Sequence, residues 1–193
     1  MKRLRFPMVA AGAVLASGCL SGCSVLRDDP DPVINVNQAV KRVDSVLDGT
    51  FDAIHPRLKW REGPAHMSEQ RNSFTNTADG EVSVDRDRYV RTKFSKAKLK
   101  ELLTVVYKHW AKEGFKLRDS NPREPSMSAT AADGRIVSLK VGGVGDVRIG
   151  ASVGALSDGP SGDIDGEEGD KFPKAPNGGP DYTPDVRDPY WSK

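Results

Sequence analysis

Cysteine, histidine and aromatic residues are scarce in this chain: its 193 residues include two Cys, three His and 7% aromatics. Both cysteines, Cys19 and Cys23, stand near the N-terminus. The remainder therefore has no thiol for a disulfide framework or a thiolate metal site. His55, His66 and His109 are the only side chains whose ordinary pKa suits a general base near neutral pH, and no usual metal spacing links them. No Ser stands in a Gly-x-Ser-x-Gly setting, and there is no phosphate loop of the Gly-x4-Gly-Lys-Ser type. Gly142-Gly143-Val144-Gly145 has the glycines of an anion loop but no helix after it, which makes it a hairpin turn. The acidic run Asp163–Asp170 fails as a helix-loop-helix calcium site. Counted from Asp163, Glu168 and Lys174 fall where that loop needs Gly and a bidentate Glu. A chain of this length is also too short for a large multidomain enzyme. The expectation is a protein that is not an enzyme, with no metal and no cofactor.

There is no apolar run of the roughly 20 residues needed to cross a bilayer. The longest, Phe6 to Leu20, has about 15 and follows Lys2, Arg3 and Arg5, the cationic and apolar regions of an export signal. Leu20-Ser21-Gly22-Cys23 then resembles the lipobox of bacterial lipoproteins, in which Leu, a small residue and Gly or Ala precede Cys. By that resemblance residues 1–22 are removed, and Cys23 becomes the first residue. Its sulfur carries a diacylglyceryl group and its amine often a third acyl chain such as palmitate. Two chains suffice for stable anchoring where one does not. Ala16-Ser17-Gly18-Cys19 is a poorer alternative, and an ordinary signal peptide followed by a chance cysteine is another.

Loss of the three N-terminal basic residues turns 29 basic against 27 acidic, formally +2, into 26 against 27. Nothing in that balance argues for nucleic acid as a partner.

Residues 23–34 include Asp28-Asp29-Pro30-Asp31-Pro32, the composition of a short lipidated tether. Residues 157–193 are rich in Gly and Pro, with nine acidic residues against four basic, and are expected to be disordered. Residues 35–156 form the expected extracytoplasmic domain. Val36, Ala39, Val40, Val43, Val46, Leu47, Phe51 and Ile54 recur at helical spacing until Pro56, predicting a helix over 36–54. Ser95 as N-cap, the stripe Leu99, Leu102, Leu103, Val106 and Trp110, and Gly114 as C-terminal cap predict a second helix. Elsewhere the period is two, as in Val137, Leu139, Val141 and in Val147, Ile149, Ala151, Val153. Asp133-Gly134 reads as a two-residue hairpin turn. Thr77–Val82 parallels Ala131–Ile136, and with strands over 58–61, 66–74 and 81–92 both halves become a helix followed by three strands, six in one antiparallel sheet. The expected fold is α+β: two helices on one face of an antiparallel sheet, with a helix-plus-three-strands unit duplicated or the similarity due to chance.

This pattern, with Gly114-Phe115 leading to an Asp133-Gly134 hairpin, resembles the small α+β lipoproteins of actinobacteria, most of them without a defined function. One surface feature stands out. Arg86, Arg88, Arg91, Lys93, Lys96, Lys98 and Lys100 lie within fifteen residues whose only acid is Asp87. Lysines at a helix start oppose its dipole, so helix stability does not account for them. They are either a solvated face or a contact for anionic lipid or an anionic wall polymer. The functional expectation is a membrane-anchored binding or interaction module facing outside the cytoplasm, its ligand or protein partner unidentified. A carrier of a small apolar ligand, or an envelope enzyme built around His66, are the alternatives.

Overall fold

The computed structural model describes residues 34–71, 78–121, 125–143, 145–156 and 161–193. Cys19, Cys23 and all but the last residue of the tether lie outside them. Helix α1 (Val36–Asp52) begins at a reciprocal cap in which the Asn35 side chain accepts from the Gln38 N–H and the Gln38 side chain from the Asn35 N–H, both at 3.0 Å. Its stripe Ala39, Val40, Val43, Leu47 and Phe51 is buried as its spacing predicts. Helix α2 (Lys96–Lys112) starts at Ser95, which accepts from the Lys98 N–H, and ends at Gly114 with φ +85°. There the Phe115 N–H reaches back to the Trp110 carbonyl at 2.9 Å.

The strands are β1 (Trp60–Arg71), β2 (Ala78–Val90), β3 (Lys116–Asn121), β4 (Ser126–Thr130), β5 (Ile136–Val141), β6 (Val147–Leu156) and β7 (Gly162–Asp163). They form one antiparallel sheet in the order β3-β4-β5-β6-β2-β1-β7. The α+β class is as expected, with seven strands. Period two places Val82, Val84 and Val90 of β2, Val147, Ile149, Val153 and Ala155 of β6, and Val137 and Leu139 of β5 on the face against α1, where all are buried. Each of these Val, Leu and Ile side chains removed from water contributes roughly 1.5–3 kcal/mol. Trp110 joins the helices: its buried Nε1–H donates to Thr50 Oγ1 at 3.0 Å, and the Thr50 hydroxyl donates to the Val46 carbonyl at 2.9 Å.

Three expectations are corrected. The segments 58–61 and 66–74 are not two strands; Trp60, Arg61 and residues 66–71 belong to the single strand β1, which passes Gly63-Pro64 through a register shift between Glu62 and Ala65, and 72–74 lie outside the described residues. Pro64 is tolerated at that irregularity, where the ladder needs no N–H. Gly63 is required by close approach, because a Cβ there would stand 2.9 Å from the Asp87 carbonyl oxygen. The halves therefore carry two and four strands of the main sheet rather than three each. Next, Asp133-Gly134 belongs to a three-residue loop: Ala131 N–H bonds the Arg135 carbonyl at 2.8 Å and Gly134, with φ +79°, bonds the Ala131 carbonyl.

The largest correction concerns the C-terminal segment. Residues 161–193 pack on the domain instead of being disordered. β7 adds to the edge of β1, and the Ala65 N–H bonds the Glu167 carbonyl at 2.8 Å. Further on, Val186 bridges Thr92, and Ser95 N–H bonds the Trp191 carbonyl at 3.0 Å. Trp191 is 0% exposed; its Nε1–H donates to the Pro56 carbonyl at 2.7 Å and its ring meets Phe94 edge-on. Composition averaged over the segment hides these anchors, since a few aromatics and carboxylates hold long Gly- and Pro-rich connections.

Candidate functional site

The basic stretch is divided by strand geometry. Arg86 and Arg88 alternate with Asp87 and Tyr89 along β2, so both point to the helix-covered face and are 4% and 3% exposed. They are not available to an anionic surface, which corrects that expectation for these two residues. Arg86 Nη1 lies 2.7 Å from Asp44 and 3.7 Å from Glu62, while Nη2 holds Glu167. Arg88 pairs with Asp48 at 2.8 Å and Glu62 at 3.0 Å, its guanidinium 4.2 Å from the centre of the Trp60 ring. Asp44 and Asp48 are one turn apart on α1, so one helix face meets both arginines. Burial alone would lower the Arg86 pKa; Glu167, Asp44 and Glu62 outweigh it and hold the guanidinium above its usual range.

Arg91 and Lys98 meet the chain's own acids and aromatics. Arg91 binds Asp185 through Nε at 2.9 Å and Nη2 at 2.8 Å. Lys98 Nζ lies 2.9 Å from Glu101 and 3.3 Å from the centre of the Tyr190 ring. Lys93, Lys96 and Lys100 are exposed. The seven residues therefore do not form one surface patch.

The histidines are scattered. His55 is exposed beyond α1, and His109 lies beside Gly49 in a hollow of about 210 Å³ between the helices. That hollow is lined by Glu113 and Arg135 as well as Trp110 and Phe115, so it is not an apolar carrier cavity. His66 does meet carboxylates: Nδ1 is 3.3 Å from Asp163, and Asp85 is its cross-strand partner. These three stand on an open sheet face rather than in a cleft. Among the described residues no group of His, Cys, Asp and Glu could hold a metal ion.

That open face is the feature the sequence reading missed. The helices cover one side of the sheet only, and the other side presents the alternate residues of each strand. At its centre the register sets Ser138 of β5, Gly150 and Ser152 of β6, and Asp85 and Asp87 of β2 side by side. A Cβ on Gly150 would come within 2.1 Å of the Asp87 carboxylate, so the carboxylate lies against bare backbone. Lys140 and Arg148 are direct cross-strand neighbours, like charges whose juxtaposition is unfavourable. Arg148 reaches Asp87 at 3.5 Å, and both cations line a hollow of about 320 Å³ with Ser126 and Asp146. At one end the face closes on an aromatic cluster, Tyr89 stacked on Tyr182 at 4.3 Å with Phe172 edge-on to both. Burial, with Asp87 and Tyr182, pushes the Tyr89 hydroxyl up to about 12, keeping it a neutral donor. The alternation Ser83, Asp85, Asp87, Tyr89 was the legible signal for this face.

Burial pushes the Asp87 carboxyl above its usual range against the pull of Arg148 and Lys140. Asp85 is raised as well, by burial first and Asp87 in addition, with His66 opposing. A carboxyl whose folded pKa is raised takes up its proton more readily in the native state, so its contribution to stability improves as pH falls toward the usual carboxylate range. Asp87→Asn is therefore expected to raise the thermal midpoint at pH 7, with the gain vanishing near pH 4. Melting curves at the two values check this, and an equal gain at both would contradict it.

Comparison with known protein families, with curated proteins and with solved structures found no match.

Proposed function

We propose that this protein is a lipid-anchored protein of the cell envelope, held on the outer side of the cytoplasmic membrane by acyl chains on Cys23, as in the actinobacterial lipoproteins it resembles. Its α+β domain acts as a binding module whose ligand meets the uncovered sheet face. The observation that carries the anchor is Leu20-Ser21-Gly22-Cys23 directly after a cationic and apolar leader. The domain begins at α1, so the tether from Ser24 to Ile34 keeps it within about 40 Å of the bilayer even when fully extended. No helix among the described residues is long and apolar enough to cross a membrane. The binding role is supported by the polar centre of the open face, where Asp85, Asp87 and Ser138 lie on the side of the sheet that neither helix covers. Contact with anionic lipid or wall polymer is kept for Lys93, Lys96 and Lys100 alone, at roughly 1 kcal/mol for each cation near an anionic surface.

Fractionation of cells carrying single substitutions tests the anchor. Cys23→Ala is expected to move the protein out of the membrane fraction or leave it unprocessed, whereas Cys19→Ala keeps it with membranes. Retention of Cys23→Ala after carbonate and high-salt washing would remove the basis of this reading.

A further inference from the structure

The three exposed lysines of the basic stretch lead into a longer surface on α2. The helix carries five lysines and one glutamate, and that glutamate, Glu101, is taken by Lys98 and Tyr190. Its inward stripe is Leu102, Val106 and Trp110, all buried. At 3.6 residues per turn the opposite side collects Lys96, Lys100, Thr104, Tyr107, Lys108 and Ala111, and each of them is exposed. Lys93 stands exposed just ahead of the helix. No carboxylate belongs to this face. Among the described residues none of Lys93, Lys96, Lys100 and Lys108 has an acid within ion-pair distance.

Folding does not account for the arrangement. Lys108 suits the C-terminal end of the helix dipole, but Lys96 opposes it at the other end, where α2 has no acid in its first turn. Tyr107, at 47%, is the most exposed of the large aromatic and aliphatic side chains among the described residues. A tyrosine ring is at home at headgroup depth, its body apolar and its hydroxyl wet, and lysines beside it lay down apolar stems while their ammonium groups stay among phosphates. The face also follows one helix for about 25 Å, which suits a plane of headgroups.

We propose that the outer face of α2 docks the domain on a bilayer carrying anionic phospholipid. Lys93, Lys96, Lys100 and Lys108 meet the phosphates, and Tyr107 enters the headgroup layer. Both helices cover the same side of the sheet, so this contact turns the open face, with Asp85, Asp87 and Ser138, away from the membrane, where a ligand can reach it. The inference rests on the anchored reading for a bilayer close by, but the contact itself needs no acyl chain, so in vesicles it stands or fails apart from the modification of Cys23.

Vesicle sedimentation tests it with the chain that follows Cys23, which keeps every described residue and has no cysteine. Binding is expected to phosphatidylcholine vesicles containing about one-third phosphatidylglycerol at about 50 mM salt, and not to vesicles of phosphatidylcholine alone. Each cation near such a surface is worth about fivefold in affinity, so Lys96→Gln, Lys100→Gln and Lys108→Gln together should weaken binding at least tenfold and leave the thermal midpoint unchanged. Removing the same charge elsewhere is the control: Lys140→Gln, Lys171→Gln and Lys174→Gln together should keep binding within about threefold of the parent. A fluorophore on Thr104→Cys should be quenched by a lipid-borne quencher, and one on Ser138→Cys should not; this readout decides the matter should the triple variant fail to fold. No binding to anionic vesicles, equal binding to neutral ones, an equal loss in the control, or equal quenching at both positions would overturn the proposal. Binding to soluble polyphosphate without binding to vesicles would overturn it as well, and would assign the lysines to a wall polymer.

Discussion

Replacing Trp191 by Ala is expected to lower the thermal midpoint by about 6–20 °C, the shift that a cost of roughly 3–5 kcal/mol produces in a chain of this size. The ring is fully buried, touches Phe94 and donates to Pro56, so truncation leaves a large cavity and an unpaired carbonyl. Tyr190, its neighbour, is 38% exposed and provides the control. Tyr190→Ala should cost much less, through loss of contacts with Lys98 and Glu101. Ending the chain before Gly162 should cost at least as much as Trp191→Ala, since it also removes β7 and frees the edge of β1. A truncated chain that melts with the parent would show that residues 161–193 contribute nothing to folding.

The second large effect is expected at Arg86. Arg86→Ala leaves Asp44, Glu62 and Glu167 facing one another without the cation that joins them, and breaking a buried ion pair from one side typically costs about 3–5 kcal/mol. These carboxylates are each about a third exposed, which places the expected loss at the low end of that range. Arg86→Met, which keeps the apolar stem, should recover part of it. Asp44→Asn should cost less than either, because Glu62 and Glu167 still balance the guanidinium. Chemical denaturation of the three variants ranks them, and the order Asp44→Asn worst would contradict this assignment.

What could be read from the sequence followed periodicity. Both helices, the caps of the second at Ser95 and Gly114, and the alternating strands from Ser126 onward have strong local signals, and the sheet assembled from them is antiparallel as expected. Two kinds of information were not local. Gly63-Pro64 carries the residues of a chain break, but the bulge in β1 accepts them, so one strand reads as two. The direction of the β2 arginines depends on register: Arg86 and Arg88 belong to the solvated class by type and to the core by parity with Val82, Val84 and Val90. The C-terminal segment was misread because sparse anchors are invisible to composition; Asp185, Asp188, Tyr190 and Trp191 are too few to change an average, yet they include a fully buried indole. The open face went unnoticed for a related reason. Its serines, glycines and aspartates look like loop residues one at a time and become a surface only when β5, β6 and β2 are placed side by side.

The proposed tether at Cys23 is tested most directly by the mass of the protein extracted from membranes in detergent. The expected result is a chain that begins at Cys23 and carries a diacylglyceryl group, with or without a third acyl chain on the amine. A chain from the same fraction that begins elsewhere, or one with an unmodified Cys23 thiol, would contradict it.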